Sequence, residues 1–184
     1  LADVIETSSK DNPQQIGGIS IDGAGGPDLF GYKWRDSNEP NGPQYVWNDI
    51  SSTGTLATNW IATGSFDPKD EGYAGPFPLG FNFKFYGQEK NQIYVSSNGL
   101  ILFNTVSTNI FTNAQIPAAA IPNEYIAPFW DDLRPDPDPK GSTKVYAWPE
   151  EGDPNTPKRF IVLWDSIGHY ELSEDPNECV SFAA

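Results

Sequence analysis

Between Pro78 and Asp132 the apolar residues fall at spacings that leave the backbone little choice. In Gly80-Phe81-Asn82-Phe83-Lys84-Phe85-Tyr86-Gly87 a phenylalanine recurs at every second position. That period puts the three rings on one face of a pleated strand, with Asn82 and Lys84 on the other, as in a half-buried strand. Ile93-Tyr94-Val95-Ser96-Ser97 and Leu100-Ile101-Leu102-Phe103 then flank Asn98-Gly99. Asn-Gly accepts the positive φ values of a type I′ turn, so the spacing predicts a tight antiparallel hairpin. The apolar run Ile126-Ala127-Pro128-Phe129-Trp130 stops abruptly at Asp131-Asp132.

The same reading extends along the chain. Residues 1–27 are rich in Gly, Ser, Asn and Asp, with a short alternation at Ile16, Ile19 and Ile21, and read as a linker leading into an edge strand. Phe30 to Ser37 and Gln44 to Ile50 read as two aromatic strands around the turn-rich Asn38 to Pro43. Residues 51–78 predict one or two short strands with long connections. Between Thr105 and Asn123, Ala118 to Ala120 is the one place for a helical turn, and Arg134 to Gly141, where Pro and Asp alternate, reads as an extended exposed loop. Thr143 to Trp148, Arg159 to Ile167 and Cys179 to Ala184 read as strands. Phe160-Ile161-Val162-Leu163-Trp164 is the continuous apolar run of a strand buried on both faces.

Gly and Pro each occur 17 times, and prolines at this density break most helices longer than two turns. The expected fold is therefore all-β, an antiparallel two-sheet β-sandwich of jelly-roll type with little or no helix. A closed barrel is the alternative architecture. Residues 28–184 are expected to form one domain, long enough to bury a core without metals or disulfides.

Eleven basic against 25 acidic side chains leave a formal charge of −14. This repels phosphate backbones and anionic lipid, so nucleic acid is not an expected partner. No run approaches the roughly 18 apolar residues of a membrane span, and insertion into a membrane is not expected. Cys179 is the single cysteine, which excludes an intrachain disulfide and multi-cysteine zinc sites; it reads as a buried small hydrophobe. A secreted form would have lost its signal peptide.

Three groups of residues are candidate sites. Asp131, Asp132, Asp136 and Asp138 concentrate carboxylates on a proline-stiffened loop, the oxygen-rich chemistry that Ca²⁺ takes, which makes calcium the candidate cofactor. The spacing is not that of an EF-hand, which needs glycine at the sixth position and glutamate at the twelfth. The competing reading is a solvated loop whose aspartates accept backbone hydrogen bonds. Asp67, Asp70 and Glu71 form a second acidic cluster. Tyr32, Trp34, Tyr45 and Trp47 fall in pairs two apart, so that each pair shares a strand face and offers a flat platform for sugar rings, with glycans as the candidate ligand. The competing reading is burial between the sheets. No nucleophile elbow, His-Glu-x-x-His, phosphate-binding glycine loop or Cys-x-x-Cys occurs, and His169, the only histidine, reads as a surface or hydrogen-bonded residue at a strand end. A non-enzymatic protein is expected.

Taken in order, Gly31-Tyr32-x-Trp34-x-Asp36-Ser37-x-Glu39-Pro40-x-Gly42-Pro43-x-Tyr45-x-Trp47-x-Asp49-Ile50, Pro78-Leu79-Gly80-Phe81-x-Phe83-x-Phe85-Tyr86-Gly87, Val95-Ser96-Ser97-Asn98-Gly99 and Ile126-Ala127-Pro128-Phe129-Trp130-Asp131-Asp132-Leu133 resemble a β-rich module of large secreted bacterial and archaeal proteins. The later segments resemble the nidogen-type extracellular domain. The resemblance covers about Gly31 to Phe182. It implies an extracellular structural or adhesive role at the cell surface or in a matrix, with other domains of the same secreted protein, or other copies of the chain, as partners. It also implies a further strand pair after Val180 to Phe182. Either the chain is a processed form, or a sandwich edge is left open for a strand from elsewhere, as in a filament subunit assembled by strand addition.

Overall fold

A computed structural model of the chain describes residues 23–135, 144–150 (as backbone), 158–170 and 179–184. It divides into two compact units, one ending at Val46 and one running from Trp47 to Ala184.

In the first unit, β1 (Ala24–Gly25) pairs antiparallel with β2 (Trp34–Arg35). Aspartates organise the turns around this short ladder. Asp28 Oδ1 accepts the amides of Phe30 and Tyr32 at 2.8 and 2.9 Å. Asp36 accepts the amides of Gly23, Asn38 and Glu39. These bonds, the one from Gly23 foremost, hold the Asp36 carboxyl below the usual carboxylate range, because each N–H favours the charged form.

The second unit is a β-sandwich. One sheet runs β12 (Cys179–Ala183), β11 (Arg159–His169), β10 (Lys144–Glu150) and β3 (Thr55–Leu56), with β9 (Leu133–Arg134) paired to the far end of β11. The other runs β4 (Ile61–Ala62), β5 (Gly72–Phe85), β6 (Gln88–Ser96), β7 (Ile101–Leu102) and β8 (Tyr125–Ile126). Every pairing is antiparallel. One core holds the two layers together. Ile93, Val95 and Ile101 of the second sheet cluster with Val162, Trp164 and Ile167 of the first, and Phe81, Phe83 and Phe85 pack against that cluster from one side of β5. Burial along β5 alternates from Phe77 to Phe85 as the period of two requires. β11 is buried on both faces: Val162 and Trp164 join the inter-sheet core, while Ile161 and Leu163 pack with Ile50. Trp164 is the largest fully buried side chain among the described residues; its indole stacks on Phe182 with centroids 4.7 Å apart, and its Nε1–H donates across the sandwich to Ser96 O at 3.0 Å.

Several local expectations give way to tertiary structure. Residues 44–49 form no strand, because a strand needs an adjacent strand to form a ladder as well as an alternating pattern. Ala118 to Ala120 form no helical turn; Pro117 and Pro122 on either side remove amide donors a helix needs. Arg134, expected to open an exposed loop, instead ends the strand β9. Cys179 is exposed, since it opens the edge strand β12, not a central one. Asn98-Gly99 does not form a type I′ turn, as detailed below.

Candidate functional site

Four consecutive polar or small residues, Ser96-Ser97-Asn98-Gly99, end β6 and lead toward β7, and the structure sinks them into the protein rather than presenting them at a hairpin tip. Ser96, Ser97 and Asn98 are each fully buried. Only Gly99 has positive φ, at 75°, whereas a type I′ turn needs it at both central residues. The loop instead closes through Ser96 N donating to Leu100 O at 2.9 Å. Gly99 is obligatory, because a Cβ there would overlap the Phe129 carbonyl.

Each buried polar side chain in this loop has a structural partner, as burial demands. Ser96 Oγ accepts the Asn98 amide at 2.9 Å, and Ser96 O accepts the Trp164 indole. Ser97 Oγ accepts the Gly72 amide and donates to the Gly72 carbonyl, both at 3.1 Å, while Ser97 N donates to the same carbonyl at 3.0 Å. Asn98 bridges two elements far apart in the chain: its Nδ2 donates to Glu71 Oε2 at 2.9 Å, and its Oδ1 accepts the Leu133 amide at 2.8 Å. The turn between β4 and β5, the β6–β7 loop and β9 are thus tied at one point.

Glu71 sits at this point, 3% exposed. Its amide donates to Asp67 O, and its carbonyl accepts Thr63 N and Thr63 Oγ1 at 2.8 and 3.0 Å. Burial, then the charges of Asp132 and Asp70, push its carboxyl up from 4.5 to about 7, against the opposing pull of the Asn98 bond. Asp70 is also raised, by burial first, with Arg134 opposing and Asp67 adding to the shift. Asp70 Oδ1 is buried without a hydrogen-bond donor, and Arg134 Nε stands 4.0 Å from it.

The two acidic clusters of the sequence therefore meet here in part. Asp132 faces Glu71 electrostatically, and its carbonyl accepts the Tyr170 amide at 2.9 Å. Asp131 Oδ1 lies 3.6 Å from His169 Nε2, which places the lone histidine beside a carboxyl group at the end of β11. Asp136 and Asp138 lie outside the described residues. Among the described residues, no three His, Cys, Asp or Glu side chains are grouped to hold a metal ion.

The four aromatic candidates are exposed, Trp34 by 48% and Tyr45 by 80%, with Tyr32 and Trp47 at 40% each. The inter-sheet gap is filled by other rings, Phe81, Phe83, Phe85, Trp164 and Phe182 among them. Trp34 rests its indole over the backbone of Gly25, where a Cβ would overlap it. Glu71 belongs to the second acidic cluster read from the sequence, whereas Asn98 is the residue that sequence reasoning passed over as part of a site. One signal was present: four polar or small residues separate Val95 from Leu100, twice what a two-residue hairpin turn uses.

A family profile described as NIDO related matches residues 44–184 of the chain. No curated protein and no solved structure gives a match.

Proposed function

This chain belongs to the NIDO-related family, an extracellular type of β-rich module, and from that premise we propose that it is a non-enzymatic structural or adhesive module of a secreted or cell-surface protein. The observation that carries the reading is the use made of its most deeply buried polar residues. Ser96, Ser97, Asn98 and Thr63 all serve to tie strands and loops to one another. A scaffold needs such internal bonding, whereas an active site leaves polar groups pointing at a reacting molecule. Antibody raised against the purified chain is expected to label intact, unpermeabilised cells or the culture medium of the native source. Antigen confined to the cell interior, or substrate turnover lost on replacing one side chain, would overturn the proposal.

The exposed rings favour a second reading, carbohydrate binding. Trp34 and Tyr32 present aromatic faces to solvent, and sugar rings stack on such faces because the apolar C–H side of the ring matches them. A glycan array probed with the labelled chain is expected to give signals that Trp34→Ala reduces at least tenfold, about 1.4 kcal/mol for one lost stacking surface. An array without signal for the wild-type chain removes this reading and leaves the first intact.

A further inference from the structure

We propose that Asn41 is a site of spontaneous modification in the folded protein, where it loses ammonia through an imide with Gly42 to give aspartyl and isoaspartyl forms, while the fold protects Asn98 from the same reaction. Asn-Gly occurs twice in the chain, at 41–42 and at 98–99. A glycine after asparagine suits this chemistry, because no Cβ shields the attacking amide nitrogen. By sequence the two pairs are equivalent. The structure separates them.

Glu39-Pro40-Asn41-Gly42 is a turn closed by Gly42 N, which donates to Glu39 O at 2.8 Å. Asn41 has a φ of 60°, and positive φ at the third position after a proline at the second makes the turn type II. Asn41 is exposed, so water reaches its side chain. One turn bond restrains the attacking nitrogen, and opening a bond of about 1 kcal/mol slows the attack only about fivefold. Asn98 stands in the opposite situation. It is fully buried, its Nδ2 donates to Glu71 Oε2 and its Oδ1 accepts the Leu133 amide. Turning its Cγ toward Gly99 N would break both bonds inside the protein, where burial leaves the freed groups unsatisfied.

At Asn41 the Gly42 nitrogen attacks the side-chain Cγ. The N–Cγ bond forms, the Cγ–Nδ2 bond breaks, and the proton lost by Gly42 N ends, through solvent, on the departing ammonia. Water then opens the ring at one of its two carbonyl carbons. Cleavage of the new bond leaves an aspartyl residue, and cleavage of the original peptide bond leaves an isoaspartyl residue whose backbone is one methylene longer. Either product adds one negative charge to the loop. The Asn41 carbonyl is also the one that Arg35 Nη1 reaches at 3.4 Å, and Arg35 follows the exposed Trp34 in β2. The reaction therefore alters the surface beside that ring as the protein ages.

The test incubates the full chain, folded, in mildly alkaline buffer beside a second sample in concentrated urea. Peptides carrying each Asn-Gly pair are then followed by chromatography and mass spectrometry. In the folded sample the Asn41 peptide is expected to gain the mass of an amide-to-acid exchange and to split into aspartyl and isoaspartyl peaks. The Asn98 peptide should react at least about thirtyfold more slowly, the factor for two lost bonds of about 1 kcal/mol each. Urea should bring the two rates together. Asn41→Gln should remove the acidic species that isoelectric focusing of the folded wild type accumulates. An Asn41 peptide that stays unmodified in the folded sample overturns the proposal. Asn98 reacting as fast as Asn41 there also overturns it, because the fold would then give no protection. An aspartyl product without the isoaspartyl one does the same, since direct hydrolysis would have replaced the imide.

Discussion

Trp164→Ala is expected to cost about 4 kcal/mol of stability, the upper part of the range for removing a large aromatic from a packed core. Two losses add. The indole is fully buried between the sheets and stacked on Phe182, so truncation leaves a cavity that a sandwich held at both layers can close only in part. The Ser96 carbonyl also loses its donor, and an orphaned buried acceptor costs about 1–3 kcal/mol. Trp164→Phe separates the two: it keeps a ring against Phe182 and loses the indole N–H, for an expected cost of about 1–2 kcal/mol. Urea titration of the three proteins is the measurement, with an unchanged denaturant slope showing that all three bury the same surface. An Ala variant within 1 kcal/mol of wild type, on the order of a surface substitution, would mean that the two sheets do not meet at this residue.

The second large effect belongs to Asn98. Asn98→Ala removes the donor to Glu71 and the acceptor of Leu133 N–H together, leaving two buried groups unsatisfied. The expected loss is about 3 kcal/mol, since each orphan costs about 1–3 kcal/mol. Asn98→Asp is the sharper probe. It retains an acceptor for Leu133 but sets a carboxylate against Glu71, whose neighbours are already Asp132 and Asp70. The Asp variant should therefore lose more stability at pH 8 than at pH 5, because only at the higher pH do both carboxyls carry charge. Equal losses at the two pH values would show that Asn98 is bonded elsewhere. Asn98→Ala combined with Glu71→Ala completes a double-mutant cycle whose coupling energy measures this contact.

The strands that could be read from the sequence are those whose pattern is a property of the strand itself. Phe81, Phe83 and Phe85 share a face whatever pairs with them, because the pleat sets the period. The run Phe160 to Trp164 reads as doubly buried because no alternation exposes any of it, and Ile161, Val162, Leu163 and Trp164 are indeed all buried. Residues 44–49 mark the boundary of that logic. Their aromatics alternate as in a strand, yet among the described residues they join no ladder, and Tyr45 stands in solvent.

The site follows the same division. Sequence alone shows that carboxylates gather at Asp67 to Glu71 and again at Asp131–Asp132, and that Asn98-Gly99 interrupts two apolar strands. Tertiary structure decided that these separate segments converge. Glu71 and Asn98 are 27 residues apart, and Asn98 and Leu133 are 35 apart; hydrogen bonds at such separations leave no periodic trace in the chain. Periodicity reports how one strand meets water on its two faces. What a buried polar group must bond to depends on which strands lie opposite, and that is set only when the sheets pack.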